Sequence, residues 1–151
     1  MLGVWVRGTL VGLALGMAVV FVIAARLNPY NPDGSARRME THKQLGLPPC
    51  RFYEVTHLPC PSCGMTTSFA LLVRGDVVNS LRANAAGTLL ALFCLGFFPW
   101  AVVSVARRRP LFIRSLERAM LWCVLGLMTL MLTRWLLLIG VYWWTGPPPG
   151  G

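Results

Sequence analysis

Three long apolar runs constrain this chain more than any other feature of it. Gly8–Ala25 is eighteen residues without a charge, and Leu2–Val6 extends it upstream around the single Arg7. Ala85–Ala106 is twenty-two residues without a charge, and Ala119–Trp144 is twenty-six interrupted only by Arg134. At ~1.5 Å rise per residue, each run is long enough as a helix to cross a hydrocarbon core of ~30 Å. Backbone polar groups find no water in that core, so a helix is the form such runs take. The expected class is therefore all-α: an integral membrane protein with three transmembrane helices, at about 4–25, 85–106 and 119–143. The loop 26–83 carries cysteines and is expected to bear short interfacial or re-entrant helices. Residues 1–151 read as a single membrane domain, in contact with a lipid bilayer.

Charge supports that class. Hydrophobic residues make up 56% of the chain and charged residues 13%, a shortage of charge that argues against a soluble enzyme. A net charge of +9 would otherwise suggest nucleic acid, but the basic residues fall almost entirely outside the apolar runs. There they act as topology signals, and no nucleic-acid partner is expected. Arg107, Arg108, Arg109, Arg114 and Arg118 crowd the second loop, and nothing after Arg134 is basic. The positive-inside rule puts that loop and the N-terminus in the cytoplasm, and the cysteine loop and C-terminus outside a cell (inner) membrane. Tyr142, Trp143 and Trp144 fit an outer aromatic belt. The first run reads as a retained span: it is too long and too weakly basic in front for a cleaved leader.

The long loop holds the chemistry. Turn residues Asn28–Gly34 end the first span, and Ser35 is expected to cap a short helix through about Leu45, with Gly46 closing it and Pro48-Pro49 blocking its continuation. Met65–Val73 reads as a nine-residue helix starting at the Cys60-Pro61-Ser62-Cys63-Gly64 turn, too short to span. Arg74-Gly75 ends it, and Asp76 is the candidate N-cap of the next helix, which continues into the second span.

Thr41-His42-Lys43-Gln44-Leu45-Gly46-Leu47-Pro48-Pro49-Cys50, followed by Cys60-Pro61-Ser62-Cys63-Gly64-Met65-Thr66-Thr67, resembles a bacterial membrane-protein family known as domain of unknown function 2752. The family pattern is C-P-x-C-G-x-T-R, with another cysteine before it and an R-G-D-like turn and N-P segment after it. The resemblance runs from about His42 to Pro99 and includes Gly64, Thr66, Arg74-Gly75-Asp76 and Asn84. Thr67 replaces the arginine and Ala85 the proline, as in a subgroup with C-P-S-C-G-M-T-T. The resemblance implies an integral membrane protein with a cysteine-bearing loop; Gly64, Thr66, Asp76, Asn84 and Arg134 are expected to serve structural roles.

Of five cysteines, Cys94 and Cys123 lie inside spans and read as packing residues. Cys50, Cys60 and Cys63 remain, with His42 and His57. Four N/S ligands make a tetrahedral zinc site, and His42, Cys50, Cys60 and Cys63 satisfy the count, with His57 as the alternative histidine. A structural disulfide within the cysteine trio is the other way to organise the loop. The resulting expectation is a small non-enzymatic membrane protein, an accessory or partner-binding one, with a loop organised by zinc or a disulfide. The alternative is a membrane-tethered thiol–disulfide oxidoreductase or metal-handling factor using Cys60 and Cys63. A CxxC before a helix has the local form for lowering a thiol pKa, but the chain lacks the βαβ pattern of a thioredoxin scaffold. No Walker loop, nucleophile elbow, HExxH or Rossmann fingerprint is present.

Two features of the spans stand out. Arg134 reads either as a snorkelling anchor beside Trp135, or as a buried cation that hydrogen-bonds loop carbonyls or pairs with Asp76. Gly8, Gly12 and Gly16 form a G-x-x-x-G stripe suited to close packing within the chain or in a homodimer, or against another membrane protein.

Overall fold

The computed structural model describes residues 3–108 and 116–146. Among them the chain forms α1 (Val4–Arg26), a 3₁₀ helix (Thr41–Leu45), α2 (Arg51–Thr56), α3 (Met65–Val73), α4 (Val77–Arg107) and α5 (Leu116–Thr145). There is no β-strand among these residues, and the fold is all-α. α1, α4 and α5 are long and apolar enough to cross a membrane.

The region after α1 departs from expectation. Ser35 does not cap a helix, because its hydroxyl donates to the Asp33 carboxylate at 2.7 Å and its carbonyl accepts from the Asn31 N–H at 2.8 Å. Those bonds close a tight turn at Gly34 and pair Tyr30 with Ala36, which leaves residues 36–39 extended or bent and Glu40 left-handed at φ +71°. Helix begins only at Thr41, in 3₁₀ form, and ends at Gly46 with φ +75°. The Gln44 side-chain amide ties this element to the end of α1: it donates to the Asn28 carbonyl at 2.6 Å and accepts from the Asn28 N–H at 2.9 Å.

α3 is short but almost entirely enclosed, with Thr67 through Leu72 all buried. It packs on α1 and α4 through Phe69 and Leu72, against Ala24, Ala91, Phe21 and Leu90. Phe21 and Ala91 lie within charge-free runs, so α3 sits among the ends of the spans, as a re-entrant helix does. A nine-residue segment has unpaired terminal backbone groups that lipid cannot satisfy; enclosure by protein solves this. At its C-terminus Arg74 donates to the carbonyls of Ala70 (2.9 Å), Ala25 (3.0 Å) and Ala24 (3.4 Å), so one guanidinium serves the last turns of both α3 and α1. Gly75, with φ +79°, turns the chain, and Asp76 caps α4 as expected, accepting from the Asn79 N–H at 3.3 Å.

α4 is two helices in series. Asn84 has φ −157° and ψ 104°, which breaks the helical path. Its side-chain oxygen accepts from the Gly87 N–H at 3.0 Å, so Asn84 acts as the N-cap of the membrane-spanning half. Further along, α4 packs on α1 through Leu10, Phe97 and Ala101. Polar side chains buried between the helices satisfy one another: Ser80 donates to the Ser68 carbonyl at 2.8 Å and pairs with Thr88 at 2.7 Å, and Thr41 pairs with Thr67 at 2.8 Å. Small hydroxyl residues of this kind allow close approach where lipid supplies no hydrophobic drive between helices. The G-x-x-x-G stripe is not used within the described chain, since an added Cβ at Gly8, Gly12 or Gly16 would meet nothing within 4 Å. α5 touches the rest mainly through α4 and has no buried residue among those whose side chains are described.

Candidate metal centre

The two-residue gap between Cys60 and Cys63 forms a turn because the Cys63 N–H reaches back to the Cys60 carbonyl at 3.1 Å. Gly64 then takes φ +83° and leads directly into α3. Cys50 stands at the N-cap position of α2, and the loop after that helix returns the chain to Cys60. The outcome is convergence: the sulfurs of Cys50, Cys60 and Cys63 all lie within 4.8 Å of one another. Three sulfurs bound at ~2.3 Å to one ion stand roughly 4 Å apart, so a shared ion fits inside the trio once the Cys60 and Cys63 sulfurs, 2.9 Å apart, open by about an ångström. All three are free thiols.

The turn is held from behind. The Asn84 side-chain amide donates to the Cys63 carbonyl at 3.0 Å and more distantly to the Pro61 carbonyl at 3.5 Å. Because Gly87 N–H is taken by the Asn84 side chain, the Ala83 carbonyl is free for another donor, and the Arg134 guanidinium supplies it at 3.1 Å. Trp135 donates its indole N–H to the Pro59 carbonyl at 2.9 Å, and its ring meets Phe52 of α2 edge-on at 6.1 Å. Arg134 is thus the carbonyl-binding cation of the two functional readings. It does not pair with Asp76, whose carboxylate is engaged by Asn79 at 2.9 Å and by the Tyr30 hydroxyl at 3.3 Å.

The two thiols of the turn differ. Cys60 and Cys63 sulfurs are 2.9 Å apart, and the Cys60 N–H points at the Cys63 sulfur at 3.3 Å. Burial pushes the Cys60 thiol up, but hydrogen bonds from Cys63, Ser62 and Cys50 outweigh it, and the net shift is downward. Burial, then the hydrogen bond to Cys60, push the Cys63 thiol well up.

The structure brings together three of the four expected ligands. His42 lines the same cleft of about 400 Å³ as the trio, but its Nε2 is 3.2 Å from the Pro48 carbonyl, and it stands outside the cluster of converging ligand atoms. His57 closes α2 with φ +55° and is exposed. Thr66 and Gly64 both line the cleft, and Gly64 is also a packing necessity. Sequence reasoning passed over Arg74 and Trp135 as hydrogen-bonding residues and Met39 and Tyr53 as cleft walls. A long-range contact leaves no local pattern to read.

The match to known proteins falls on this region. Residues 50–98 fit the family described as "Protein of unknown function (DUF2752)". This matched stretch is about a third of the chain. It begins at Cys50, contains the CxxC turn, α3 and the kink at Asn84, and ends at Phe98 within the second span; His42 lies before it. No curated protein and no solved structure matches the chain.

Proposed function

We propose that this chain is a small, non-catalytic integral membrane protein whose DUF2752 region is organised by a metal ion held by Cys50, Cys60 and Cys63, and that it serves as an accessory or partner-binding protein. The observation that carries the reading is the convergence of three sulfurs from two separate segments within 4.8 Å. A staple joining only Cys60 to Cys63 would not require Cys50 to approach. Zinc is the ion that the sequence reading favours. The loop lies at the opposite end of α4 from Arg107 and Arg108, which fits a cytoplasmic basic loop and an extracytoplasmic cysteine site. Arg109 and Arg114, also part of that argument, lie outside the described residues.

The test is metal analysis of the full chain purified in detergent under reducing conditions, with single alanine replacements. Stoichiometric metal should be present, and Cys50→Ala, Cys60→Ala and Cys63→Ala should each abolish it, because a two-ligand remnant binds far less well. His42→Ala should cost less, since His42 stands outside the converging sulfurs. Protein without metal, in which alkylation mass spectrometry finds two of the three cysteines protected until reductant is added, would replace the metal with a disulfide.

One observation favours a second reading. A thiol shifted down next to one shifted up is the asymmetry of an exchanging dithiol, with Cys60 attacking and Cys63 resolving. Insulin reduction by the protein in micelles, lost in Cys60→Ser, would establish that activity; the proposal expects none.

A further inference from the structure

We propose that the ion held by the thiol trio is monovalent copper, bound in an all-sulfur site that can exchange its metal. This rests on the metal reading above and names the ion. Among the described residues, the ligand atoms of His, Cys, Asp and Glu side chains converge in a group of three or more only at Cys50, Cys60 and Cys63. The nearby nitrogen and oxygen ligands stand outside that group: His42 rests its Nε2 3.2 Å from the Pro48 carbonyl, and Glu40 is held by Lys43 in a 2.6 Å ion pair. A structural zinc ion takes four protein ligands, so three thiolates leave it one short. Monovalent copper is soft, prefers thiolate and thioether sulfur, and is satisfied by few ligands. Three thiolates complete its coordination without a nitrogen or oxygen.

The surroundings of the trio agree with that ion. The cleft of about 400 Å³ that the trio lines also has the thioether residues Met39 and Met65 in its walls. A space of that size is far larger than one ion needs, so a ligand from solution can approach the metal from the cleft side. A closed structural site has no such opening. The back of the site, by contrast, is fixed by Asn84, which holds the Cys63 carbonyl. On binding, three S–H bonds are replaced by three copper–sulfur bonds, three protons pass to solvent, and copper remains monovalent. The site then carries two negative charges, and the Arg134 guanidinium, which acts electrostatically on Cys63, offsets part of them.

The experiment is an anaerobic titration of the full chain in detergent micelles with monovalent copper supplied as its acetonitrile complex, and separately with zinc, each against a chromophoric competitor. One copper per chain is expected, retained in the presence of equimolar zinc, with only sulfur in the nearest shell by X-ray absorption. Cys50→Ser should weaken copper binding by more than the ~10–100-fold typical of outer-sphere residues. One zinc per chain that copper does not displace, with a nitrogen or oxygen in its shell, overturns copper and keeps the metal reading. Failure to bind either ion in fully reduced protein overturns both.

Discussion

Gly64 sits where two backbone oxygens converge. A Cβ at this position would lie 2.6 Å from the Arg38 carbonyl oxygen and 2.7 Å from that of Ala83, and φ is +83°. Gly64→Ala should therefore lower stability by about 1–3 kcal/mol from backbone strain alone, with further loss from the clash, read as an earlier thermal unfolding in micelles. Asn84→Ala should cost about 2–4 kcal/mol, because it removes a helix cap and leaves the Cys63 carbonyl without its donor. Asp76 offers a pH test. Hydrogen bonds from Asn79 hold its carboxyl below the usual value of 3.8, against an opposing effect of burial. A depressed carboxyl contributes stability that is present above pH 3.8 and lost as pH falls through the lower folded value. Asp76→Asn should flatten the acid limb of a plot of unfolding temperature against pH and leave the neutral region's slope unchanged.

At the scale of elements, α5 is the least embedded span, and the polar contacts from its Arg134 and Trp135 both end on the cysteine-bearing region or the kink behind it. Interhelical hydrogen bonds in membranes average about 0.6 kcal/mol, so neither substitution should unfold the protein. Trp135→Phe together with Arg134→Met should instead loosen the turn locally. Faster amide exchange at Cys60 and Cys63, with exchange in α3 unchanged, is the expected signature; equal acceleration throughout would show that α5 supports the whole bundle. Much of the element pattern was readable in advance. α3 falls on Met65–Val73 as expected, because a positive-φ glycine and an apolar run define it locally. The helix expected after Ser35 did not form there, because a hydroxyl that can cap a helix can equally close a turn onto Asp33. The break at Asn84 falls just before the apolar run Ala85–Ala106, and hydropathy, which marks where a span begins, carries no sign that the helix path breaks there.

For the molecule as a whole, orientation is the property most open to direct test. Reporter fusions after Arg114 and at Gly151 should report the cytoplasm and the exterior respectively, from the arginine bias between the second loop and the tail. An exterior signal after Arg114 would invert the arrangement and place the thiol site in the reducing compartment. Large apolar side chains such as Leu15, Val19, Leu136 and Leu137 are exposed along α1 and α5, as lipid-facing surface requires.

Span number, span length and the local stops and starts at Gly46, Gly64 and Asp76 were determined by the sequence alone. Hydrophobicity sums along a continuous segment, and turns depend on the φ preference of one or two residues. The meeting of Cys50 with Cys60 and Cys63, the separate placement of His42, and the bonds from Arg134 and Trp135 were decided only by the tertiary structure. Each joins positions from different segments, and their approach depends on how α3 is enclosed by α1 and α4. That enclosure turns on the unlabelled break at Asn84, which frees the Ala83 carbonyl and holds the cysteine turn against the bundle.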